Sequence, residues 1–463
     1  MARPHCCDEF SRSALVRRAV AQAGAGLPAI EPGMPLPAGT GLDRRAFLSR
    51  SAALALTVYG ASRLPLPGLD DGIARAAAGA APAERTLVSI FLPGGMDSMS
   101  TLYPAGDPLY RKLRPRLALP EGAGQAFAED ERLRWHPAAA KLAALHGEGK
   151  VSVLPAIGYT HADQSHFTSR HFWEVGATET RLTTGWLGRY LDAVGVPDNP
   201  LQGVSLDGEL QPALASARVP VAAISRADSY DFWTYGVWGE VGNRMFAALD
   251  ELAGAGYDDP ALAQAASVAA QSNRLRSELA QFQGGSKSNF GSSAPYPSGK
   301  DPFPQRLAGL AAMLAAGLPI RVAAVTAPGQ WDTHADQPAA LQQGLSLAMD
   351  SVYAFQRDLE ARGLADRVLT LVWTEFGRRA AENGSNGTDH GAAGAAFVIG
   401  SQARGRMIGE FPGLAKGLDE DGNLRPTSDF RGLYRGLLEQ WLETDAAAVI
   451  PGARSFAAPV VVR

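Results

Sequence analysis

The chain is poor in cysteine: among its 463 residues there are two, adjacent at Cys6 and Cys7. Beyond residue 7 there can be no disulfide and no thiolate metal ligand. Any metal there must be held by carboxylate, imidazole or hydroxyl groups. No run of about 18 apolar residues occurs, so no conventional membrane-spanning helix is expected. Charged residues make up 19% of the chain with a formal net charge of −4, and no basic stripe is visible. Nucleic acid is therefore not expected as the main partner. Phosphate-binding P-loops, a Gly-x-Ser-x-Gly elbow, His-Glu-x-x-His and a dinucleotide fingerprint after a strand are all missing. What is present is ordinary globular material, 46% hydrophobic, long enough for one large domain or two smaller ones.

The first 80 residues differ from the rest. Asp43-Arg44-Arg45-Ala46-Phe47-Leu48 places paired arginines ahead of a short, mildly apolar stretch from Ala52 to Ala61, and Ala78-Gly79-Ala80 then supplies small residues. That order is the order of a twin-arginine signal peptide, with cleavage expected near Ala80. Residues 1–40, rich in Ala, Gly and Pro without helical period, read as an unfolded, dispensable leader. The expected location is the periplasm or the outside of the cell, with the twin-arginine translocase as partner during export. Residues 1–80 carry a net charge of +3, which leaves about −7 on residues 81–463.

Residues 81–463 alternate apolar runs with amphipathic segments. Thr86–Leu92, Val151–Leu154, Ile320–Val325, Val368–Trp373 and Ala395–Ile399 read as strands. They lack strict in/out alternation, as strands covered on both faces do. Leu341, Leu345, Ala348, Val352, Phe355 and Leu359 keep helical spacing. So do Leu307 to Leu318, and Phe430 to Leu442 behind Ser428 and Asp429. The fold class expected is α/β, a doubly wound, mostly parallel sheet. Residues of about 180–300 read as a helical cap or insertion, closing with the flexible Gly/Ser/Pro-rich loop 284–301.

Ligands of open parallel sheets collect beyond the carboxyl ends of strands. Four clusters fall there. Pro93-Gly94-Gly95-Met96-Asp97-Ser98 follows the first strand; its Asp can ligate a cation or cap a turn. His161 to His171, with Asp163, Ser165, His166, Ser169 and Arg170, holds three of the eight histidines and opens a helix. Ser165 or Ser169 can be an attacking hydroxyl there. Trp331-Asp332-Thr333-His334 offers carboxylate and imidazole two apart, suited to Zn²⁺ or Mn²⁺, with Ca²⁺ or Mg²⁺ as alternatives. Glu375-Phe376-Gly377-Arg378-Arg379 leads to Gly387-Thr388-Asp389-His390-Gly391, where Asp and His are adjacent between glycines. Two cations held by such a set clamp the attacking and leaving oxygens of a displacement.

In these motifs the sequence resembles the bacterial family called domain of unknown function 1501. The resemblance rests on Arg44-Arg45-x-Phe47-Leu48, Phe91-Leu-x-Gly-Gly-x-Asp97, Ser165-His166-Phe167, Trp331 to His334, Glu375 to Arg378 with Gly387 to Gly391, Gly409-Glu410-Phe411-Pro412, and Asp429-Phe430-Arg431. It implies an alkaline-phosphatase-like or sulfatase-like core binding two divalent ions. Asp97, Asp389 and His390 would hold one ion, and Asp332 and His334 would begin the site of the other. Ser165 would stand as nucleophile, with His166, Arg170 and Arg378 around it, and the substrate would be a small-molecule or polymer phosphate or sulfate ester. No histidine follows His390, so the second site needs another ligand, and His161, Asp163, His166 and Glu375 are the candidates. Ser98 competes with Ser165 as nucleophile. A non-catalytic envelope protein on the same fold is the alternative.

Overall fold

The computed structural model describes residues 85–197, 199–230 and 239–463. The leader, the paired arginines and the cleavage point near Ala80 lie outside the described residues. The strands are β1 (Thr86–Phe91), β2 (Leu102–Tyr103), β3 (Arg134–Trp135), β4 (Val151–Gly158), β5 (Gly203–Ser205), β6 (Ala222–Ala223), β7 (Val322–Thr326), β8 (Val368–Trp373), β9 (Gly394–Ile399) and β10 (Ser428–Asp429). β2 and β3 pair with each other, and the other eight form one sheet in the order β10-β4-β9-β8-β1-β7-β5-β6. All its neighbours are parallel except β9, which runs antiparallel to both β8 and β4.

Successive side chains of a strand point to opposite faces, and here both faces are covered. On β1, Val88 and Ile90 enter one core, Leu87 and Phe91 the other; on β7, Ala323 and Val325 face Val322 and Ala324 across the sheet in the same way. That is why the runs show no polar alternation. One face carries helices α1 (Ala140–Gly147), α6 (Phe303–Ala315) and α7 (Gln337–Ala361), through residues such as Leu142, Leu307 and Leu345. The other carries α2 (His166–Val175), α3 (Trp186–Val194) and α8 (Phe430–Gly436), through Trp173, Leu187 and Leu433. The chain is thus a doubly wound α/β fold with a mostly parallel sheet.

The segment expected to be a helical cap is mixed. It supplies β5 and β6 to the main sheet before turning into α4 (Gly239–Ala253) and α5 (Pro260–Leu279). Asp259 starts α5 by accepting the amides of Ala261 and Leu262. Among the described residues no helix is long and apolar enough to cross a membrane.

Two features set up the site. α2 is locked to the sheet by Trp173, which stacks on Trp373 at the end of β8 with ring centroids 5.3 Å apart and planes 5° from parallel. Gly176, at φ 65°, ends the helix by donating to the carbonyls of Phe172 and Trp173. Because β9 is antiparallel, its first residue lies at the rim where β1, β7 and β8 end. The loops after β1, β4, β7 and β8, the last of which runs on into β9, therefore meet at one edge.

Candidate metal centre

The loop after β1 has room for other backbones because it carries two glycines with left-handed φ, Gly94 at 112° and Gly95 at 69°. A Cβ on Gly94 would stand 2.6 Å from the amide nitrogen of Asp332, and one on Gly95 would stand 2.4 Å from the Phe376 ring. Asp332 can approach only because no side chain is there.

Three histidines surround Asp332, and each is oriented through its Nδ1. His166 Nδ1 lies 2.7 Å from Oε1 of Glu375, a buried carboxylate that also accepts the Gly94 amide at 2.8 Å. His390 Nδ1 lies 2.8 Å from the carbonyl oxygen of Gln164. His334 Nδ1 lies 3.2 Å from Asp389 Oδ1, which Asn383 also reaches at 3.0 Å. Carbonyls and ionised carboxylates only accept, so all three Nδ1 atoms carry a proton, and each ring in its neutral form presents Nε2 as a lone pair. Those lone pairs converge. His334 Nε2 is 2.9 Å from His390 Nε2, and they are 3.1 and 3.2 Å from Asp332 Oδ1. His166 Nε2 is 3.5 Å from Asp332 Oδ2 and is buried without a hydrogen-bond partner.

Acceptors packed this closely need a positive charge between them. The same field shifts the pKa values of these groups. Burial opposes a charge on His166, but the carboxylates of Asp332 and Glu375 outweigh it and push its pKa up to about 9. The hydrogen bond to Asp332 raises His334. Burial also opposes ionisation of Asp332, yet the histidines and Arg378 hold it far below the usual carboxylate range. A divalent ion fits the donor set. Ligand atoms about 2.0–2.1 Å from a tetrahedral ion stand roughly 3.4 Å apart; the contacting pairs here are 2.9 to 3.5 Å apart, and the ligand atoms of His166, Asp332 and His390 all lie within 4.8 Å of one another. Second-sphere groups on each Nδ1 are the usual partners of metal-bound histidine. The structure thus has a His/Asp site able to hold a metal, centred on His166, Asp332 and His390 with His334 beside them.

Other residues singled out in the sequence stand around this centre in different ways. Asp389 meets the cluster through His334. Ser165 lies between Gln164 and His166, both tied to the cluster, and its hydroxyl makes no capping bond to α2. Arg170, one helical turn beyond His166, bonds Glu174 at 2.6 Å and lies over the Phe91 ring. Asp163 accepts the Ser165 amide, and His161 is exposed in the same loop. Ser98 is buried in the turn after Asp97.

Two residues differ from expectation. Asp97 is wholly buried, and Arg114 grips both its oxygens, at 2.6 and 3.0 Å, while Ser100 and Gln337 donate to it as well. It is the partner of a buried guanidinium and does not belong to the histidine cluster. Arg378 is also buried. Its guanidinium serves the carbonyls of Gly94, Gly95, Trp331 and Thr388 and reaches Asp332 at 2.5 Å. It ties the loops together and keeps no face for a substrate. Gln164, Asn383, Gln337 and Arg114 escaped sequence reading, since none belongs to a residue type or spacing that marks a metal site.

Among solved structures, the chain is similar to the C-terminal periplasmic domain of EcEptC from Escherichia coli, crystallised as a complex with Zn. The two share 10% identity with a TM-score of 0.33, covering 81% of this chain and 88% of that one. It is also similar to a protein in the alkaline phosphatase superfamily from Vibrio parahaemolyticus (10% identity, TM-score 0.32, 88% and 76% covered). A third is the PsFucS1 sulfatase from Pseudoalteromonas sp. (10% identity, TM-score 0.35, 82% and 74% covered). At that distance they say nothing of what this chain acts on. No curated protein matches it. The model of the family described as "Protein of unknown function (DUF1501)" matches residues 163–430, a stretch that runs from the loop before Ser165 through Asp332, His334 and His390 to the start of α8, and the chain belongs to that family.

Proposed function

We propose that the chain is an exported, metal-dependent hydrolase of a phosphate or sulfate ester, working with one divalent ion at the His166/Asp332/His334/His390 cluster. The observation that carries this reading is the convergence of three Nε2 lone pairs on Asp332 beside the unengaged capping position of Ser165. The imidazole-rich set favours Zn²⁺ or Mn²⁺ over Ca²⁺ or Mg²⁺. A bound ion supplies positive charge to the ester oxygens and lowers the pKa of a nearby hydroxyl.

The chain's own residues do the rest. Ser165 is the attacking hydroxyl: its oxygen bonds to the phosphorus or sulfur as the alcohol leaves, and water then releases the acid. Arg170 faces the ester oxygens from α2. Glu375, Gln164 and Asp389 hold the three imidazoles in the tautomer that presents Nε2. Asp97, neutralised by Arg114, drops out as a ligand, which is why one ion is proposed where the sequence led us to expect two. Export by the twin-arginine route to the periplasm or beyond rests on residues 43–80 alone.

The test is a panel of aryl and alkyl phosphate and sulfate esters given to the zinc- or manganese-loaded protein. Turnover should vanish on chelation and fall on the order of 10³-fold or more in Ser165→Ala. One observation favours a second reading, a non-catalytic polymer-binding protein: Asp97 and Arg378 are both saturated internally. A metal-loaded protein that turns over none of these esters supports that reading.

A further inference from the structure

Gln337 is the first residue of α7 and is 1% exposed. A side-chain amide has two donors and two acceptor sites, and here all four are used. Nε2 donates to Asp97 Oδ2 at 2.5 Å and to Ser100 Oγ at 3.2 Å. Oε1 accepts from Thr333 Oγ1 at 2.9 Å and from Thr388 Oγ1 at 2.6 Å. The orientation is forced, because the carboxylate must accept and the threonine hydroxyls donate. Thr333 immediately precedes His334, and Thr388 immediately precedes Asp389 and His390. The two threonines are themselves joined, Thr388 N–H to Thr333 O at 3.0 Å. Behind the amide, Asp97 is fixed by Arg114, whose Nε and Nη2 continue to the carbonyls of Ala380 and Arg379 at 2.9 and 3.0 Å.

We infer that Gln337 is a positioning residue for the metal centre: it couples the loop bearing His334 to the loop bearing Asp389 and His390, and anchors both on the Asp97–Arg114 ion pair. The inference rests on the metal reading above. A half-satisfied buried network is costly. Removing the amide therefore frees both threonine hydroxyls and one side of Asp97 at once, and lets the two histidine-bearing loops move independently. Asp97 thereby acquires a role at the site without touching the ion.

The test is zinc affinity of the full chain, stripped of metal and titrated with Zn²⁺ against a chromophoric chelator, alongside thermal unfolding. Gln337→Leu should weaken zinc binding roughly 10- to 100-fold, the usual range for loss of an outer-sphere partner. Thr388→Val, which removes a single bond and is the milder change, should weaken it less, and its effect should be smaller still in the Gln337→Leu background. Leu345→Ala, in the core of the same helix, is the control: it should lower the melting temperature and leave zinc affinity unchanged. Wild-type affinity in both Gln337→Leu and Thr388→Val would overturn the inference while leaving the metal site standing. So would an equal loss of affinity in Leu345→Ala, since that would mark the effect as general destabilisation. A wild-type chain that binds no zinc would take down the metal reading and this role with it.

Discussion

At the scale of single residues, Asp332 and Asp389 are easily confused in the sequence, each lying within two residues of a histidine, and the structure separates them. Asp332 faces three Nε2 atoms, whereas Asp389 meets the histidines only at the Nδ1 of His334. Asp332→Ala should therefore abolish tight zinc binding, while Asp389→Ala should weaken it by about 10- to 100-fold; chelator competition distinguishes the two. Asp97 makes a different prediction. Burial would raise its pKa, but Arg114 holds it below the ordinary 3.8. A depressed folded pKa means that the contribution to stability is complete above the unfolded value and fades as pH falls through the folded one. Asp97→Asn should thus cost about 3–5 kcal/mol near neutral pH, the range for breaking a buried ion pair. The gap between variant and wild type should narrow below pH 3.8, as read by denaturant unfolding at several pH values. The histidines were legible because the chain has only eight, and His166, His334 and His390 lie in the segments that follow apolar, strand-like runs. The partner of Asp97 was not, because an arginine 17 residues further on carries no pattern.

At the scale of elements, the strands with long apolar runs, β1, β4, β7, β8 and β9, could be read directly, and so could the helices α6, α7 and α8. β5, β6 and β10 could not: with two or three residues each they are too short for periodicity to show, and their place is set by pairing with longer neighbours. That limit also hid the sheet-forming part of the segment expected to be a cap. The Gly94-Gly95 turn was noticed for its freedom, but what it makes room for, the Asp332 backbone, is a contact about 240 residues away in the chain and invisible locally. Gly94→Ala should destabilise the fold by about 1–3 kcal/mol through its φ of 112°. It should also weaken zinc binding by displacing Asp332. Thermal unfolding with and without zinc reads both effects.

At the scale of the whole molecule, a doubly wound sheet brings four loops from distant parts of the chain to one rim, and their joint content makes the site. The topology explains why motifs that were ambiguous singly became specific together. An ion that binds only the folded chain stabilises it by mass action, about 4 kcal/mol at a thousandfold excess over the dissociation constant. That increment should be missing from Asp332→Ala. The central claim is that the His166/Asp332/His334/His390 cluster holds one divalent ion. Elemental analysis of the purified chain after gel filtration and zinc or manganese supplementation tests it most directly. One equivalent of metal per chain, lost in Asp332→Ala and still one, though more weakly held, in Asp97→Asn under metal excess, is the predicted result. No metal in the wild type, or two equivalents of which one is lost with Asp97, would contradict it.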